Sequence, residues 1–355
     1  MTRRRPVTRL LAAGAGARVA YAALTRAQPG GERIWTRANH RGEPVSLLEG
    51  PAVTAAAAAA ALAAPGLDGR LRLALGVAGA GAGAVGCYDD LAGRGDRHGF
   101  SGHLGALANG QVTTGAVKIA GIGLAGLAAA LLLDGRDGRC AISGQASSAP
   151  RRMADLAVNG ALVAGAANLV NLFDLRPGRA IKVCVVASVA LGLAGPQARA
   201  AVAAPAGAAT ALLPEDLGER SMLGDTGANA LGAMLGVTAA ASLPRSAKIA
   251  VLCAVAGLTG ASEKVSFSKV IARTPALNWL DMLGRRAVSA RRDDPRSPPG
   301  REAPGGATFR PRSSLAPRSR RRRAPRTGAA TPPAPRAAGE RRGRPTRPGR
   351  PGPCD

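Results

Sequence analysis

Apolar residues run along this chain in long blocks rather than in alternation. Nine such blocks, roughly 8–24, 50–65, 71–88, 112–133, 154–173, 180–195, 198–213, 226–243 and 246–261, are separated by short charged or Gly/Pro-containing stretches. Against the ~20 residues a helix needs to cross a hydrocarbon core, they predict an all-α, polytopic integral membrane bundle of about nine transmembrane helices. The first block contains Arg18 and the second is nearly all alanine, so these two carry the weakest span signal. The alternative is a soluble, alanine-rich bundle, which would show one polar stripe per helix. The block VKIAGIGLAGLAAALLL, Val117 to Leu133, shows no such stripe, and its small residues suit close helix packing in lipid. Arg3 to Arg5 also fit the basic start of a signal peptide, but no convincing cleavage site follows, and the later blocks favour an uncleaved anchor.

Composition divides the chain in two. Residues are 46% hydrophobic and only 2% aromatic, with 48 glycines, yet mean hydropathy is just +0.04 because the end of the chain is polar. Residues 1–286 form the expected membrane domain, and 287–355 are rich in Arg, Pro, Gly, Ala and Ser, with RSRRRRAPR at Arg318 to Arg326. Such a segment buries too little apolar surface to offset its ordering entropy, which predicts a disordered tail. It supplies half of the formal net charge of +26. Adhesion to anionic lipid or nucleic acid is one reading of that charge and a solvated tail is the favoured one. Phe309 is its only aromatic, too few for stacking on RNA bases, so no specific nucleic acid is expected as a partner. With nine spans, the tail lies on the same side as the acidic loops, and its arginines place that side in the cytoplasm.

The cysteines, Cys87, Cys140, Cys184, Cys253 and Cys354, show no C-x-x-C spacing and suggest neither a zinc site nor a disulfide framework. His40, His98 and His103 fall in polar loops without an H-E-x-x-H grouping. Candidate chemistry lies instead in carboxylates and amides at the ends of apolar blocks. GCYDDLAG places Asp89 and Asp90 at the end of one, and SMLGDTGAN places Asp225 ahead of another. In NLVNLFD, Asn168, Asn171 and Asp174 recur every three residues, which keeps them on one helix face. Polar groups of this kind are costly near hydrocarbon and by default mark a functional site. With Lys118, Arg176, Arg179 and Lys182 nearby in sequence, they suit a hard divalent cation and phosphate oxygens, since magnesium takes one or two carboxylates plus water and substrate phosphates. Thr226-Gly227 after Asp225 stands at an expected helix start, where free N–H groups favour an anion.

GCYDDLAG, NLVNLFD and MLGDTGANALGAMLG, in that order and spacing, resemble the polyprenyl-phosphate N-acetylhexosamine-1-phosphate transferase superfamily, over roughly residues 30–285. This group includes phospho-N-acetylmuramoyl-pentapeptide transferases and UDP-N-acetylglucosamine:undecaprenyl-phosphate transferases. The resemblance implies a multi-pass cell-membrane enzyme that moves a sugar 1-phosphate from a UDP-sugar donor to a polyprenyl phosphate acceptor, with Mg2+ or Mn2+, at the cytoplasmic face. It makes Asp89, Asp90 and Asp174 catalytic, Asp225 the metal ligand, and Asn171 and Lys118 substrate-binding residues; Asn168, Arg176 and Arg179 are expected to bind substrate from their own chemistry beside these positions. Membrane lipids and a second copy in a homodimer complete the expected partners. The chain departs from the family where a Gly/Asp-rich loop becomes Leu175 to Arg179, where an aromatic becomes Met222, and where a histidine-rich late loop becomes ASEKVSFSKVIARTP. Two other classes stay open: a non-catalytic membrane relative that binds lipid phosphate or regulates envelope synthesis, and a transporter. A transporter would carry ionisable groups near the midplane rather than at one end.

Overall fold

The computed structural model describes residues 4–92, 113–137 and 148–286; the tail at 287–355, His98, His103, Cys140 and Cys354 lie outside the described residues. Each apolar block is a helix, as expected for stretches dominated by Ala and Leu. In chain order the helices are α1 (Arg4–Ala27), α2 (Glu32–Trp35), α3 (Glu49–Leu62), α4 (Gly69–Ala92), α5 (Thr114–Asp137), α6 (Ala149–Phe173), α7 (Arg179–Gly192), α8 (Pro196–Leu217), α9 (Gly224–Ser242), α10 (Arg245–Ser262), α11 (Phe267–Arg273) and α12 (Pro275–Met282). Pro196 and Pro275 stand in the first turns of α8 and α12, where a missing N–H costs nothing.

The length and composition of these helices are those of a membrane protein. Among the described residues, α4, α5 over Thr114–Asp134, and α6 are long and apolar enough to cross a bilayer; α10 and α11, bent by 97°, would supply a fourth as one broken span. The nine spans expected from the blocks are therefore three or four by this measure. The physical reason is length and charge: α3 and α7 have 14 residues each, a rise of about 21 Å against a ~30 Å core. α1 carries Arg4, Arg5, Arg9, Arg18 and Arg26.

α9 is the centre of the bundle. Every residue from Thr226 to Ala240 is buried, and the helix packs chiefly on α4 and α6, then on α3 and α8. Close approach depends on small residues: a Cβ on Gly232 or Gly236 would run into the α6 backbone at Ala166 and Val163. The only strands among the described residues, β1 (Thr36–Ala38) and β2 (Pro44–Ser46), form an antiparallel hairpin with Thr36 opposite Ser46. Ser46 also accepts from Met222 N and donates its own N–H to Arg220 O. This stitching holds the segment leading into α9 against the end of α4, where Trp35, Leu47 and Leu48 pack with Cys87 and Met222.

Candidate active site

The start of α9 is gripped from two sides. Gly224 has φ 59°, a left-handed turn that glycine adopts at little cost, and it brings three successive backbone N–H groups to the surface of neighbouring helices. Asp174, just past the end of α6, accepts from Gly224 N–H. Asp90, near the end of α4, accepts from Asp225 N (3.0 Å), Thr226 N (2.9 Å) and Thr226 Oγ1 (2.6 Å). The helix start was expected to attract an anion, and the anion found there is the protein's own Asp90 carboxylate. α4 comes this close because residue 86 is glycine: a Cβ there would overlap the Asp225 carbonyl.

Asp89, one residue earlier on α4, points elsewhere. Lys118 Nζ lies 3.1 Å from Asp89 Oδ2 and 2.5 Å from Asp225 Oδ2, with side chains 15% (Lys118), 18% (Asp89) and 26% (Asp225) exposed. Those values leave the cluster open enough to meet a ligand. α4, α5 and α9 each contribute one member, so the cluster exists only in the folded bundle. Burial, then the adjoining Asp89 carboxyl, pushes Asp225 up to about 7, against the nearby Lys118 ammonium. Asp225 donates to Asp89 only while it carries a proton, and a cation bound between the two would take that proton's place.

Beside this cluster the loop after α6 lines a cavity of about 260 Å³, walled by Asn39, His40, Asp174, Arg176, Asp216 and Glu219 among others. Burial, and next the Asp216 carboxylate, holds Asp174 well above the usual carboxylate range. Asp216 is 3% exposed, and burial pushes it up to about 7 although it accepts from Gly178 N–H. Its Oδ2 has no hydrogen-bond partner among the described residues. Among the other lining residues, burial, then the charge of Arg176, lowers the pKa of His40. The cavity thus sets carboxyl groups against a guanidinium, with a neutral imidazole beside it.

Not every residue read from the sequence arrives here. Asp89, Asp90, Lys118, Asp174 and Asp225 converge, and Arg176 lines the adjoining cavity. Arg179 does not face that cavity: it is buried and forked onto Asp281, Nε to Oδ1 2.8 Å and Nη2 to Oδ2 3.0 Å, with Nη1 on Ser268 Oγ at 2.9 Å. Asn168 turns toward α10, its Nδ2 3.4 Å from Thr259 Oγ1, and Asn171 accepts Asp174 N–H through its backbone carbonyl at the helix end. Sequence reasoning missed Asp216, Asp281 and Glu49. Glu49 is fully buried, with Oε2 on Ser221 Oγ at 2.6 Å. Its signal was an acid heading an otherwise apolar block; Asp216 sits in PEDLGER, which reads as an ordinary charged loop.

The donor set suits a hard divalent cation sparingly. Asp89 and Asp225 converge on one point, and that point already carries the Lys118 charge. Among the described residues no group of three or more His, Cys, Asp or Glu side chains is arranged to hold a metal. Magnesium bound by two carboxylates, water and substrate phosphate is compatible with the set. No protein-family model matches this chain, and no curated protein matches it.

Proposed function

We propose that the chain is a membrane-embedded transferase that moves a sugar 1-phosphate from a UDP-sugar to a polyprenyl phosphate, releasing UMP, at the cytoplasmic face of the cell membrane. The observation that carries this reading is the Asp89–Lys118–Asp225 cluster, built at the shared end of α4 and α5, two bilayer-length apolar helices, a place where a lipid phosphate and a water-soluble donor would meet. The order of the three sequence motifs agrees with it.

Asp225 would hold Mg2+ or Mn2+, whose Lewis acidity neutralises pyrophosphate charge when bound. Lys118 offers ammonium N–H donors to non-bridging phosphate oxygens from between the two carboxylates. In the transfer, an oxygen of the polyprenyl phosphate forms a bond to the sugar-bearing phosphorus as the bond to the UMP oxygen breaks, and the electron pair leaves on UMP. Asp89, whose oxygens are not spent on backbone, is the member of the acidic pair placed to take a proton from the lipid phosphate. Asp90 and Asp174 position Asp225 by holding residues 224–226. Arg176 faces the cavity where the donor would extend.

The test supplies purified protein, in vesicles containing undecaprenyl phosphate and magnesium, with a panel of UDP-sugars labelled in the sugar phosphate. Label moving into the organic phase with at least one donor is the expected result. Tight acceptor binding with no transfer from any donor would favour the non-catalytic, lipid-phosphate-binding alternative.

A further inference from the structure

The segment after α10 has its polarity turned inside out. The chain bends by 97° at the end of α10 and folds back through α11 and α12 as a short helical hairpin. Its contacts with the rest of the protein are largely polar. Asp281 is buried between Arg179 and Arg285, Ser268 meets Arg179, and Lys182 Nζ donates to the carbonyls of Leu280 (3.0 Å) and Asp281 (2.7 Å). The apolar exception is Phe267, stacked on Phe173 with ring centroids 5.2 Å apart.

Its outer side carries the large apolar residues: Val270, Leu277, Trp279, Leu280, Met282 and Leu283 are all exposed, Trp279 by 67%. An element folded in water does the reverse, burying its apolar side and presenting its charges. Between residues 263 and 283 the exposed charged side chains are Glu263, Lys264, Lys269 and Arg273, three basic to one acidic, because the other acid of this stretch, Asp281, faces inward. α10 continues the same surface, since Val255 is its sole buried residue.

We infer that the α11–α12 hairpin lies in the headgroup region of an anionic bilayer, with its apolar face among the upper acyl chains and Lys264, Lys269 and Arg273 on lipid phosphates. Three observations select this occupant. The apolar face includes a tryptophan, a side chain suited to the boundary between water and hydrocarbon. Basic residues flank that face, as in helices that lie along membrane surfaces. α11 leaves α10 at 97°, too sharp a bend to continue it as a straight span, so with α10 along the bilayer normal α11 lies in the membrane plane. The inference depends on membrane insertion alone and stands whether or not the chain is a transferase.

The chain has two tryptophans, and Trp35 is buried, so Trp279 serves as a local reporter. Full-length protein carrying Trp35→Phe is reconstituted in phosphatidylcholine vesicles with or without phosphatidylglycerol. Emission is then read with acyl chains brominated near the headgroup and with aqueous iodide. Should Trp35→Phe fold poorly, the difference between wild type and Trp279→Phe gives the same signal. We expect blue-shifted emission, strong quenching by brominated lipid, weak quenching by iodide, and a further blue shift with phosphatidylglycerol that is lost in Lys264→Gln/Lys269→Gln/Arg273→Gln. Water-like emission quenched by iodide would overturn the inference. So would a Trp279 shielded from both quenchers, which would place a protein surface such as a second copy on this face. An anionic-lipid response unchanged in the triple variant would overturn the assignment of the basic residues.

Discussion

Replacing Asp90 by Asn separates the two members of the acidic pair. Asp90 accepts three hydrogen bonds on two oxygens, from Asp225 N, Thr226 N and Thr226 Oγ1. An asparagine keeps one acceptor oxygen, so its amide NH2 must face one of the two backbone N–H groups, donor against donor. A lost charge-assisted hydrogen bond in a half-buried setting costs about 1.5–3 kcal/mol. The charge removed from the α9 N-terminus adds about 0.3–1 kcal/mol. Together they predict destabilisation of about 2–4 kcal/mol, a fall in Tm of about 5–10 °C for a domain of this size. Asp89→Asn leaves the α9 start intact and Lys118 still paired with Asp225, so its Tm should fall by clearly less than that of Asp90→Asn. The assay is thermal unfolding of both variants in one detergent, alongside turnover. Wild-type stability in Asp90→Asn with a large loss in Asp89→Asn would refute this division of roles.

Other substitutions probe the surroundings. Arg179→Ala removes the forked partner of Asp281 and leaves it Arg285, so it should cost about 1.5–3 kcal/mol of stability with donor KM unchanged; a raised KM in a protein of normal Tm would return Arg179 to the donor site. Arg176→Ala, by contrast, should raise donor KM several-fold at wild-type Tm, read from a donor titration. Asp216 provides a pH test. Its folded pKa of about 7 lies above the usual 3.8, so between those values the folded state binds more protons than the unfolded one and stability falls as pH rises. Asp216→Asn lacks that penalty and should gain on wild type by up to about 4 kcal/mol at pH 8, the gain vanishing near pH 4. Parallel pH profiles of the two unfolding curves would contradict the assignment.

The sequence told much about where helices would form, and less about what their ends would do. Long apolar blocks translate directly into helices, because one signal, unbroken Ala, Leu and Gly, fixes type and extent together. Span number was less legible, since the same alanine-rich composition serves lipid-facing helices and a buried central helix such as α9. Asp89, Asp90 and Asp225 were legible as a group from their positions at block ends. Which of the adjacent pair meets Lys118 was not, because it depends on the rotation of α4 against α9 fixed by Gly86. Arg179 misled for a related reason. Beside Asp174 in sequence it reads as a phosphate ligand, but its partner Asp281 is supplied by a segment 102 residues away. Asp216 was invisible because it sits near the end of α8 in a charged run, and its burial there follows from packing alone.

The most direct test of the central claim is UMP release by purified wild type and Asp225→Asn in vesicles, with a UDP-sugar and with polyprenyl phosphate and magnesium each present or withheld. The account predicts release by wild type only when both are present, and loss of that release in an Asp225→Asn protein that still unfolds cooperatively. Release by Asp225→Asn equal to wild type, or release by wild type that ignores the lipid phosphate, would contradict it.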